Sequence, residues 1–131
     1  MIAPAMNLAA GTATDLATVT GGVGNAMKIF ADQGLEAESA ANMLAKAQAQ
    51  ANTTVTDLFE AMSTAGPMLE SVGWSFKDLA VVTDVFGDAG ISGSEGATAL
   101  KTGLARLASP AADGAAAMKK LNLQFFDSTG K

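Results

Sequence analysis

A chain of 131 residues is long enough for one domain with a modest core. The absence of cysteine and histidine excludes disulfides, thiolate metal sites and the commonest general base. A net charge of −5 argues against direct nucleic-acid binding, which needs clustered Lys and Arg, and only Lys119-Lys120 are adjacent.

Alanine supplies over a fifth of the chain, Tyr is absent and Trp74 is alone, so the core must come from close helix–helix approach. No apolar run reaches the length of a membrane span, and no basic residues precede an apolar stretch as in a secretory signal. The chain opens without a clear helix start and closes where a hairpin's second strand is expected, so it reads as a fragment of a longer protein.

The first predicted helix covers 3–10, a partial helix within 1–11, and stops at Gly11. Thr12-Ala-Thr-Asp15 then puts a hydroxyl at a cap and a carboxylate three residues on, which starts a helix over 13–33. Its inward face is Leu16, Val19, Val23, Met27 and Phe30. Gly21, Gly22 and Gly24 each cost about 0.5–1 kcal/mol against alanine, so a break is expected there. The joint Gly34-Leu-Glu36 leads into a helix over 37–51 with Met43 and Leu44 inward. Thr54-Val-Thr-Asp57 starts a helix over 55–72 with Leu58, Met62 and Leu69 inward, and Gly66-Pro67 is expected to kink it.

Gly73-Trp-Ser75 repeats the joint, and Ser75-Phe-Lys-Asp78 starts a helix over 76–89, with Trp74 stapled onto Leu79. Gly90-Ile-Ser92 is the third such joint, and Ser92 with Glu95 starts a helix over 93–108. Leu100, Leu104 and Leu107 share a face of it, among the small residues Gly96, Ala97, Ala99 and Gly103 that admit a neighbouring helix. Ser109-Pro110 ends that helix and opens one over 110–121. Leu123-Gln-Phe125 reads as a short strand running into an Asp127-Ser-Thr-Gly turn, so 122–131 is a truncated strand and turn. The expected fold is all-α: a single helical module over 1–131, a compact bundle of six or seven short helices with tight glycine-capped turns and a short extended C-terminal segment.

Candidate chemistry is sparse. Asp84 and Asp88 share a helical face, but without a third ligand they read as solvated charge. A calcium loop starting at Asp88 gains Ser92 and Gly93 and fails at Gly90 and Ala99, where oxygen ligands are needed. Gly90, Gly93 and Gly96 at a helix mouth resemble a phosphate cradle, yet no Lys-Ser/Thr pair follows, so capping and close packing explain them better. The methionines at 27, 43, 62, 68 and 118 fit core filling better than an adaptable groove. No catalytic, cofactor-binding or metal residue is assigned, no cofactor is expected, and the binding residues stay unassigned.

The same stretches carry a family pattern. Ala89-Gly-Ile-Ser-Gly-Ser-Glu-Gly96, Thr98-Ala-Leu-Lys-Thr-Gly-Leu-Ala-Arg-Leu107 and Ala108-Ser-Pro110 resemble the core region of phage tail tape measure proteins. That region carries Ala-Gly-Ile-x-Gly-Ser-Glu-Ala, then Thr-x-Leu-(Lys/Arg)-Thr-x-Leu-x-(Arg/Lys)-Leu, then a small residue and a proline. Asn7-Leu-Ala-Ala-Gly, Thr14-Asp-Leu-Ala, Asn52-Thr-Thr-Val-Thr-Asp-Leu, Ala65-Gly-Pro67 and the ending from Leu121 extend the likeness along the chain. Gly21-Gly22, Gly24 and Glu36 depart from it.

The resemblance implies a non-enzymatic structural protein of a phage or prophage-derived tail, part of the tape that sets tail length and takes part in assembly and DNA ejection. It implies the tail tube lumen as location, with tail tube protein, tail assembly chaperones and tail-tip proteins as partners. Self-association is compatible with it, as is contact with the host envelope and membrane during ejection. The competing expectation is a secreted helical interaction or membrane-active module of a toxin-delivery system.

Overall fold

Four helix starts in this chain are set by short polar side chains, Asp15, Thr54, Ser75 and Ser92, and two of them close reciprocally. The computed structural model describes residues 2–126 and contains seven α-helices: α1 (Ile2–Thr12), α2 (Leu16–Ile29), α3 (Ala37–Gln50), α4 (Val55–Ser71), α5 (Phe76–Asp88), α6 (Gly93–Ala108) and α7 (Ala112–Lys120). At α4 the Thr54 hydroxyl accepts the Asp57 N–H while the Asp57 carboxylate accepts the Thr54 N–H. Ser75 and Asp78 do the same at α5. At α6 only half of the box forms, a 3.4 Å bond from the Glu95 N–H to the Ser92 hydroxyl.

The first predicted box is displaced by one turn. Asp15 itself caps α2, accepting the Thr18 N–H at 2.9 Å, while the Thr12 hydroxyl turns back to the Leu8 carbonyl and ends α1. Gly11 therefore lies inside α1, and the left-handed position falls on Ala13, at φ +55°. Nor do the three glycines break α2, which runs through them and ends at Ile29 ahead of a 3₁₀ turn, Ala31–Gln33. The ring of Phe59 lies where a Gly22 side chain would stand, so this glycine admits α4. Glu36, the other departure from the family pattern, makes no capping bond.

Three helices end on one geometry, in which a left-handed residue lets two successive N–H groups turn back onto free carbonyls. After α4, Gly73 (φ +89°) donates to the Glu70 carbonyl and Trp74 to the Leu69 carbonyl, both at 2.9 Å. After α5, Gly90 (φ +79°) donates to Gly87 and Ile91 to Phe86. After α7, Asn122 (φ +55°) donates to Lys119 and Leu123 to Met118. This last closure corrects the predicted strand: Leu123 finishes a helix end, and no strand exists among the described residues. The Asp127 turn lies outside the described residues.

The most extensive helix contact is between α4 and α6, with α1 on α2 and α3, α2 on α3 and α4, α3 on α5, and α5 on α4 and α6. The centre is filled by Phe30, Leu44, Met62, Leu69 and Leu79, with Val19, Val23 and Val55 beside them. Phe30 and Phe76 meet as tilted rings 5.7 Å apart, a favourable aromatic geometry. The alanines Ala26, Ala40, Ala61 and Ala65 are buried among these larger groups, as a close-approach core requires. Met27, Met43 and Met68 are half-buried against the core, in keeping with core filling. Leu16 is exposed because α2 begins at it, one turn later than the sequence pattern implied. Helix α4 runs uninterrupted through Pro67, which sits on its exposed side. Helix α7 buries no residue.

Candidate functional site

The segment that carries the strongest sequence pattern forms a joint between the start of α4, the end of α5 and the start of α6. Glycines let three backbones approach there. A Cβ at Gly93 would stand 2.1 Å from the Asp57 carbonyl oxygen, and one at Gly87 would stand 2.6 Å from the Asn52 carbonyl oxygen. At Gly96 a Cβ would meet the Phe86 ring at 2.6 Å, so the alanine of the family pattern does not fit this local packing without a shift of Phe86.

Two carboxylates tie the joint together. Asp57 closes its own capping box and also accepts the Gly93 N–H at 3.4 Å. The Thr54 hydroxyl is the main cause holding the Asp57 carboxyl below its ordinary pKa, followed by the Thr54 and Gly93 amides. Asp88 accepts the Asn52 N–H at 2.9 Å, linking the end of α5 to the α3–α4 turn. An open cleft of about 190 Å³ remains, lined by Asn52, Thr53, Asp57, Gly87, Gly90, Ile91 and Ser92. Gly90, Gly93 and Gly96 do not converge on it as a phosphate cradle: Gly90 closes a helix, while Gly93 and Gly96 face α4 and Phe86.

Asp84 departs from the solvated-charge expectation. It is half-buried between α5 and α3, and its Oδ1 is occluded with no hydrogen-bond partner among the described residues. Burial, and secondarily the negative charge of Asp88 one turn on, raise its pKa. Asp88 itself is exposed. Among the described residues no group of three acidic side chains is placed to hold a metal ion, and no helix is long and apolar enough to cross a membrane.

What the joint can do is mechanical: it fixes the angle between helices through backbone contact and amide–carboxylate bonds. Its pattern also places the chain. The phage-related minor tail protein family matches it over residues 1–131. The chain belongs to that family. It is 30% identical over 125 residues to a tape measure protein of Pneumococcus phage Dp-1, an alignment covering 95% of this chain and 11% of that relative. No solved structure matches the chain. A phage tail structural role follows from the family, and nothing in these relationships supports the toxin-delivery expectation.

The sequence located the joint as a packing and turning device but missed two of its parts. The Asp57–Gly93 and Asp88–Asn52 bonds each span 36 residues, and no local pattern signals a pairing at that distance.

Proposed function

We propose that this module is part of the tape measure of a phage or prophage-derived tail, and that within the tape it serves as a docking end and not as the ruler. The relationship to a tape measure protein over nearly the whole chain carries the first half of this reading. Helix length carries the second. A straight helix of 131 residues would reach roughly 200 Å, whereas α4, the longest here at 17 residues, spans roughly 26 Å. Because the chain covers only 11% of that relative's length, long helices elsewhere in the parent are assigned the measuring.

In this reading the module works without catalysis, inside the tail tube, and contacts tube, chaperone or tip proteins through its helical surface. Its acidic charge keeps it from adhering to DNA that passes the same channel. The deciding experiment is tail length by electron microscopy after in-frame deletion of residues 55–121 from the parent gene. The expected result is tails of normal length that fail to deliver DNA. Shortening by roughly 100 Å, the length of 67 residues of straight helix, would make the segment part of the ruler. Loss of all tails would assign it to the initiation of assembly.

A further inference from the structure

One carboxylate stands where helix packing asks for a small or apolar group. The inward spacing of α5 runs through Phe76, Leu79, Ala80, Thr83 and Gly87, all buried, and Asp84 follows Ala80 by one turn. It borders the seam between α5 and α3, lining a groove of about 320 Å³ with Met43, Ala47, Gln50 and Val81. Its Oδ1 is sealed from solvent and bonded to nothing among the described residues. Thr83 beside it, also buried, donates its hydroxyl to the Leu79 carbonyl at 2.8 Å, so polar groups on this face are otherwise met.

The charges around Asp84 do not repair this. Lys46 on α3 and Lys77 on α5 line the groove, yet among the described residues neither forms an ion pair with it, and no residue of α4 or α6 lines the groove. Asp88, one turn on, has the same sign. A carboxylate held half out of water without a partner is costly, whereas the neutral carboxyl loses most of that penalty.

We propose that Asp84 makes the α3–α5 seam proton-sensitive: with a neutral carboxyl the two helices close on each other, and with a carboxylate the seam is the first part of the bundle to open. The α4–α6 contact is the more extensive one and holds no unmet buried side-chain atom among the described residues, so it stays closed. This response belongs to the folded chain and does not depend on its place in the tail. Burial and then Asp88 raise the Asp84 pKa, so the folded state binds this proton more tightly than the unfolded chain does. Stability therefore rises as pH falls through the Asp84 midpoint, down to the unfolded value near about 4. Below that the sign reverses, because Asp57 and Asp15 have lowered pKa values and their contribution is lost.

The test is thermal melting of the 131-residue chain at about pH 4.5 and about pH 7.5, with amide exchange normalised to unfolded-chain rates to locate the response. The wild type melts at least about 3 °C higher at the lower pH, and amides of α3 and α5 gain protection there while those of α4 and α6 do not. Asp84→Asn removes the charge and keeps the shape; it melts higher than the wild type at the upper pH and loses most of the pH difference. Asp88→Asn keeps an acceptor for the Asn52 N–H and lowers the Asp84 midpoint, read from its carboxyl carbon shift by NMR. That variant carries the test if Asp84→Asn does not fold. A wild type that melts equally at both pH values overturns the proposal, as does a pH difference that survives Asp84→Asn. Protection gained equally in α4 and α6 overturns it too, by assigning the response to the whole fold, and so does an Asp84 midpoint that Asp88→Asn leaves unmoved.

Discussion

Gly93 and Gly96, at the start of α6, face the Asp57 backbone and the Phe86 ring, whereas Gly103, two turns along the same helix, has no atom within 4 Å of where a Cβ would stand. The first half of α6 is sealed against α4 and α5, with Ala97 buried. In the second half Leu104 alone is buried, and Gly103 and Leu107 are exposed. The same contrast separates whole helices: α4 buries eight residues and α7 none. Glycine and alanine content does not distinguish the two halves of α6, since both are rich in these residues. Small residues therefore permit close approach without causing it; the large side chains across the gap decide where it happens.

Removing a large side chain should have the greatest effect, and a different one in α4 and α7. Met62→Ala, at a fully buried position in α4, should cost about 2–5 kcal/mol, while Met118→Ala in α7 should cost less than about 1 kcal/mol, both read by urea denaturation. Equal losses would mean that α7 packs more closely than described. Next comes added bulk. Gly93→Ala forces a Cβ against backbone that no rotamer change can clear, and about 3 kcal/mol of destabilisation is expected from overpacking.

A smaller effect sharpens the electrostatic side. Thr54→Ala removes the α4 cap and should cost about 1 kcal/mol at neutral pH. Asp57 has a depressed pKa in the folded state, so its contribution is present above the unfolded value and is lost as pH falls below about 4. The Thr54→Ala deficit should therefore shrink in acid, and a pH-independent deficit would disconnect Thr54 from the Asp57 carboxylate. The smallest change has the opposite sign. Gly103→Ala fills open space in an exposed helix interior and should stabilise by about 0.5–1 kcal/mol in a thermal melt. Destabilisation there would reveal a contact on the outer face of α6.

Local signals in this chain read well where both partners lie within four residues. The caps at Thr54 and Ser75 and the left-handed closures at Gly73 and Gly90 depend on side-chain–amide and turn geometry inside a single segment, and they form as the sequence implies. The reading failed where two local solutions competed. Thr12 could cap forward or bond back to Leu8, and the second won, which moved the start of α2 to Asp15. Leu123-Gln-Phe125 has a strand-like alternation, but a strand needs a partner, and the nearest available closure was the free Met118 carbonyl.

Residue identity and short spacings suffice for an all-helical chain, the approximate limits of most helices, the lack of cysteine and histidine chemistry, and the pattern that marks the tail family. All of these follow from residue identity or from spacings shorter than one or two helical turns. Only the packing of distant helices settled which glycines are contacts, which methionines are core, why Asp84 Oδ1 lost its solvent and why α7 buries no residue. Those outcomes depend on which side chain arrives from a distant helix. Packing is a property of the pair of surfaces, and one surface read alone does not contain it.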